Sequence, residues 1–119
     1  MKNLFLCYPK CTTCQKAKQW LDEHGIPYEL RDIKLQNPDQ EELKAWHMRS
    51  GLPLKRFFNT SGLLYKSMGL KDKLGQMSEE EQYRLLAQDG MLVKRPMLIS
   101  DSYVLVGFRE AEWGERVTK

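Results

Sequence analysis

The chain is 119 residues long and 41% hydrophobic, and its 19 Lys and Arg against 16 Asp and Glu leave a net charge of +3. That is enough chain for one domain with a real core and too little for two ordinary ones, so a single domain over residues 1–119 is expected. Charges of both signs are interspersed rather than gathered into a basic arm, which argues against direct nucleic-acid binding. No apolar run approaches membrane-spanning length, and residues 1–6 hold too short a run for a secretory signal, so the expectation is a soluble, cytoplasmic protein.

In chain order, Leu4-Phe5-Leu6-Cys7 is a short apolar run closed by Tyr8-Pro9-Lys10, a buried first strand and then a loop. A helix follows with Thr12 or Thr13 as N-cap: Cys14, Ala17 and Leu21 recur at helical spacing beside Trp20, and Gly25 and Pro27 end it. Residues 28–33 alternate imperfectly, as an edge strand does. Asn37-Pro38-Asp39-Gln40 reads as a helix start, with Asn as N-cap and Pro at the first helical position; Leu43 and Trp46 face inward and Gly51 is the stop. Residues 53–73 break into short helical pieces at Ser61-Gly62. Ser78 and Glu81 then form a capping box for a helix reaching about residues 89–90. Met97-Leu98-Ile99 and Tyr103-Val104-Leu105-Val106 make a hairpin, and a last helix covers about residues 109–117. The order β-α-β, helical block (about 38–90), β-β-α implies an α/β, thioredoxin-like (glutaredoxin-like) fold: a mixed four-stranded sheet with helices inserted between its halves.

All three cysteines lie within the first fourteen positions, where they cannot staple distant parts of the chain together. Cys11-Thr12-Thr13-Cys14 falls between a strand and a helix. The start of a helix lowers a thiol's pKa by pointing unpaired N–H groups at it, and a second thiol one turn later can resolve a mixed disulfide formed on the first. Cys11 is therefore the expected nucleophile and Cys14 its resolving partner, with Lys10, Lys16 and Lys18 expected to favour the thiolate. Two other readings compete. Cysteines can simply pack at a helix end. Cys7, Cys11 and Cys14 also have the Cys-x3-Cys-x2-Cys spacing of the cluster triad in radical S-adenosylmethionine enzymes, but those need a far larger barrel. No fourth cysteine closes a zinc site, and His24 and His47 lack paired-ligand spacing, so no metal is expected. Cys7 reads as a packed strand residue and His47 as a boundary histidine. Arg56, Arg84 and Arg109 read as surface charges. Arg95 differs, because Pro96 restricts it in a position suited to a tight turn and a cis peptide, and its guanidinium could hold an oxyanion or thiolate.

Tyr8-Pro9-Lys10-Cys11-Thr12-Thr13-Cys14, Phe57-Phe58-Asn59-Thr60-Ser61-Gly62, Lys94-Arg95-Pro96-Met97-Leu98-Ile99 and Val106-Gly107-Phe108 together resemble the arsenate reductase (ArsC) family, especially its Spx branch. The resemblance covers nearly the whole chain. It implies a thioredoxin-like sheet with a helical insert, a nucleophile at Cys11, and an arginine at Arg95 before a cis Pro96. It also implies no cofactor beyond glutathione as co-substrate, and glutathione, glutaredoxin or thioredoxin as redox partners. Arsenate reductases of this type use three arginines; Arg95 matches one, while Asn59 and Gly107 or Phe108 stand at or near the other two positions. The Spx branch includes regulators that bind the C-terminal domain of the RNA polymerase α subunit, at a contact where a glycine matching Gly51 lies. Three uses of the dithiol are thus expected to compete: thiol-disulfide oxidoreductase, redox-sensing transcriptional regulator and arsenate reductase.

Overall fold

The computed structural model describes residues 3–117. By backbone proximity the chain forms two compact units, one made of residues 1–32 with 95–119 and the other of residues 33–94.

The first unit holds β1 (Asn3–Cys7), α1 (Thr12–Glu23), β2 (Tyr28–Asp32), β3 (Met97–Ile99), β4 (Val104–Val106) and α6 (Glu110–Val117). The strands form the expected mixed four-stranded sheet in the order β2-β1-β3-β4. β1 runs parallel to β2 and antiparallel to β3, and β3 and β4 form the hairpin. β3 and β4 are short unbroken apolar runs, buried at every position; β2, at the other edge of the sheet from β4, leaves Glu29 and Leu30 exposed. Phe5, Leu98 and Leu105 are cross-strand partners and so share one face. Ala17, Trp20 and Leu21 of α1 and Trp113 of α6 pack on that face in one cluster with them. Each large side chain withdrawn from water in this way contributes roughly 1.5–3 kcal/mol. The hairpin turn is closed by buried Ser100, whose Oγ accepts the N–H groups of Ser102 and Tyr103, both at 3.2 Å.

The second unit, Ile33–Lys94, is helical: α2 (Gln40–Ser50), α3 (Leu63–Ser67), α4 (Leu70–Lys73) and α5 (Glu79–Leu86), with short 3-10 turns at Leu54–Phe57, Leu74–Gln76 and Gly90–Leu92. The start of α2 differs from expectation. Asp39, not Asn37, is the N-cap, forming a capping box with Glu42, while Asn37 donates its amide to the Ala87 carbonyl at 2.6 Å. An Asp followed three residues later by Glu satisfies two orphan N–H groups at once, which outweighs the Asn-Pro signal. The box of Ser78 and Glu81 is present as expected, but α5 ends at Leu86 and residues 90–92 tighten into a 3-10 turn. Gly90 faces the Ile33 carbonyl so closely that any added Cβ would collide with it. His47 is indeed a boundary residue, its Nδ1 2.6 Å from the Tyr83 hydroxyl. Gly51 closes α2 in the left-handed region, at φ 69°, so the helix stop itself demands glycine there. No helix among the described residues is long and apolar enough to cross a membrane.

Candidate active site

β1 delivers the chain to Tyr8, and a tight turn brings it straight into α1. The Cys11 N–H donates to the Tyr8 carbonyl at 2.9 Å, and the Cys11 carbonyl accepts the first α-helical bond, from Gln15 at 3.1 Å. Cys11 is thus itself the N-cap of α1, in extended conformation (φ −87°, ψ 121°), a correction to the expectation that Thr12 or Thr13 would cap the helix. The N-cap is where a side-chain acceptor meets the free N–H groups of the first turn. A thiolate here takes the place that a Ser or Asp oxygen fills in other helices.

The three thiols are free but not equivalent: Cys11 is half-buried, while Cys14 and Cys7 are 2% and 5% exposed. Burial opposes ionisation of Cys11. The backbone N–H and thiol of Cys14, the N–H of Thr13 and the charge of Arg95 outweigh it, and Cys11 titrates below an ordinary cysteine. Cys14 moves the other way, pushed up to about 12 by burial and by the hydrogen bond and charge of Cys11, although the Tyr8 N–H donates to its sulfur at 3.3 Å. Cys7 is raised by burial, by Asp32 and by Cys11. The lysines matter less than their proximity in sequence suggests. Lys10, Lys16 and Lys18 are exposed, Lys18 is tied to Asp22 at 3.3 Å, and exposed charges are screened.

Arg95 comes from the segment leading into β3, and the Arg95-Pro96 peptide is cis. Its guanidinium carbon lies 5.2 Å from the centre of the Tyr8 ring. Buried Pro96 is anchored in turn: its carbonyl accepts the Gly107 N–H at 2.8 Å, and the Gly107 carbonyl accepts Trp113 Nε1 at 3.1 Å. The structure thus brings Cys11, Cys14 and Arg95 together in the first unit. Gly51 belongs to the second.

Tyr8 was quoted in the motif but given no role by sequence reasoning. It touches each of the other three: its carbonyl holds Cys11, its N–H holds the Cys14 sulfur and its ring carries Arg95. An aromatic residue at the strand exit beside a Cys-x-x-Cys, with an arginine elsewhere in need of a platform, was the available signal. Replacing Tyr8 by Leu removes the platform but keeps the backbone bonds. The pH midpoint of Cys11 alkylation should then rise by a few tenths of a unit, whereas Tyr8→Phe should leave it in place, a difference readable by thiolate absorbance.

The family model for the ArsC family matches residues 6–116. The chain belongs to the ArsC family. YusI, an uncharacterized protein of Bacillus subtilis strain 168, is 53% identical over 115 residues, covering 97% of this chain and 98% of YusI. The global transcriptional regulator Spx of Enterococcus faecalis is 30% identical over 104 residues, covering 87% of this chain and 77% of Spx. The crystal structure of a Bacteroides fragilis protein described as ArsC family related superposes with a TM-score of 0.94 at 57% identity, over 97% of both chains. The thioredoxin-like architecture expected of an ArsC chain is the one observed. Within it, Phe108, at one of the positions where a further arginine was sought, packs edge-on against Trp113 at 4.9 Å. That part of the ArsC frame carries an apolar wall here.

Proposed function

We propose that this ArsC family chain is a cytoplasmic thiol-disulfide redox protein in which Cys11 attacks and Cys14 resolves. The opposed pKa directions of the two thiols, side by side at the start of α1, carry the reading: Cys11 ionises more readily than an ordinary cysteine and Cys14 is kept in reserve. In the first step the Cys11 thiolate attacks one sulfur of a substrate disulfide, forming a mixed disulfide and expelling the other sulfur as thiolate, which takes a proton from water. Cys11 then no longer bears the charge or accepts the hydrogen bond that raised Cys14, so Cys14 becomes more acidic when it is needed. Its thiolate attacks the Cys11 sulfur, releasing the second half of the substrate and leaving a Cys11–Cys14 disulfide. Two electrons have passed from the dithiol to the substrate. A thiol reductant, glutathione or a glutaredoxin or thioredoxin, returns them. Arg95, on its Tyr8 platform, stabilises the attacking thiolate, and Pro96 fixes the segment that presents it.

The test is incubation of the reduced protein with glutathione disulfide, followed by mass spectrometry. Loss of two mass units, with the pairing mapped to Cys11 and Cys14, is expected; unchanged thiols would sink the reading.

The 30% identity to Spx supports a second use of the same dithiol, as a redox-sensing regulator that binds the C-terminal domain of the RNA polymerase α subunit. Gly51 is exposed and open around its Cα, as a contact point requires, although its left-handed φ accounts for it locally. Capture of the α subunit that depends on the oxidation state would favour regulation. Arsenate reduction is the weaker alternative. Arg95 would be left to hold a dianion in a frame where Asn59 and Gly107 or Phe108 stand near the other arginine positions, removing much of the charge-assisted bonding such an anion needs.

A further inference from the structure

Charges of both signs are interspersed over the chain as a whole, yet residues 43–71 contain six Lys and Arg and no Asp or Glu, and residues 90–100 add Lys94 and Arg95 with no acid. Within the second unit, parts of these two stretches meet at residues 57–59 and 92–94. The Lys94 N–H donates to the Phe57 carbonyl and the Asn59 N–H to the Leu92 carbonyl, both at 2.8 Å, and Phe58 and Val93 form an antiparallel bridge. Beside this junction lies a cleft of about 320 Å³ lined by Pro53, Lys55, Arg56, Phe58, Thr60 and Lys94. Three of its six lining residues are cations and none is an acid.

Two other cations of the chain have acidic partners, Lys18 with Asp22 and Lys44 with Glu80. Among the described residues, Lys55, Arg56 and Lys94 form no ion pair with any carboxylate. Like charges gathered around one cavity repel, and among the described residues no acid pairs with them. The walls add a hydroxyl from Thr60 and apolar surface from exposed Pro53. Phe58 is 1% exposed, so the floor is fixed by the core. The volume is at the lower end of ligand sites, large enough for a compact organic molecule and too small for a dinucleotide.

We infer that this cleft is a binding site for a small organic anion carrying about two negative charges on carboxylate or phosphate groups of a compact body. Arg56 and the two lysines take the charged groups, Thr60 donates to one of them, and Pro53 covers the body. The site lies wholly within residues 33–94, and occupancy does not require the dithiol, so its test is separable from the redox reading.

The experiment is titration of the ¹⁵N-labelled full chain, followed by amide shifts, with S-methylglutathione as the carboxylate probe, adenosine monophosphate as the phosphate probe and adenosine as the uncharged control. A saturable shift of the Lys55, Arg56, Thr60 and Lys94 amides with either charged probe, absent with adenosine, is expected, and the probe that binds identifies which anion the site takes. Affinity should fall by at least about tenfold in the Arg56→Gln, Lys94→Gln double variant and stay unchanged in Lys44→Gln, whose lysine lies outside the cleft. Absence of a saturable shift with both charged probes would overturn the inference. So would binding that survives the double variant while its spectrum shows an intact fold.

Discussion

Cys11→Ser should abolish reduction of a substrate disulfide, while Cys14→Ser should leave the first attack intact and trap the mixed disulfide. The asymmetry follows from placement on α1. Cys11 is the N-cap residue, half-exposed, and the backbone N–H groups of the first turn, with Arg95, lower its pKa. A serine hydroxyl there can still cap the helix, so the variant should fold, but it is not ionised at neutral pH and cannot attack sulfur. Cys14 lies one turn inside, buried and pushed up to about 12. At pH 7 it is held as the neutral thiol and takes no part in the first attack. Its loss removes only the exit from the mixed disulfide. Mass spectrometry after exposure to glutathione disulfide separates the cases: no adduct on Cys11→Ser, a single persistent glutathione adduct on Cys14→Ser, and an internal disulfide in the wild type.

Trp113→Ala should be the most destabilising single change in the first unit. The indole is fully buried and meets Phe108, Trp20 and Phe5 edge-on at 4.9, 6.1 and 6.3 Å. Truncating a buried Trp costs about 3–5 kcal/mol. Losing the Nε1 donor also strips the Gly107 carbonyl of its partner, worth roughly 1 kcal/mol or more. Against a total stability of about 5–15 kcal/mol, this lowers the thermal midpoint by roughly 10–20 °C. Trp113→Phe keeps one aromatic ring and loses the bond to Gly107 and part of the indole's packing, so it should fall well short of that. Because Gly107 in turn holds the Pro96 carbonyl, Trp113→Phe should also loosen the segment that presents Arg95, raising the pH at which Cys11 reacts while the protein remains folded. Scanning calorimetry of the two variants tests the order of their effects.

The strands and the dithiol were legible because each rests on a local signal. Apolar runs such as Leu4-Phe5-Leu6-Cys7 and Met97-Leu98-Ile99 allow little other than buried strands, and two cysteines one turn apart at a helix start leave few chemical uses. Helix boundaries were less legible because adjacent residues compete for the cap. Asp39 displaced Asn37 through its reciprocal bond with Glu42, and Cys11 took the place assigned to Thr12 or Thr13 without any side-chain signal. What set the acidity of Cys11 was least legible. The nearby lysines look important in sequence, but the charge that acts is Arg95, delivered from more than eighty residues away by the pairing of β1 with β3 and seated on Tyr8.

The central claim is that α1 and Arg95 hold Cys11 as the reactive thiolate while burial holds Cys14 as a thiol. The most direct measurement is iodoacetamide labelling of the fully reduced protein across pH 5–10, with each cysteine resolved by peptide mass spectrometry. Thiolate, not thiol, reacts, so the Cys11 rate should rise with pH and level off at a midpoint below that of a free cysteine, about 8.5. Cys14 should stay unlabelled across the whole range. A Cys11 midpoint at or above the free-cysteine value, or labelling of Cys14 at a rate comparable to that of Cys11, would contradict the account.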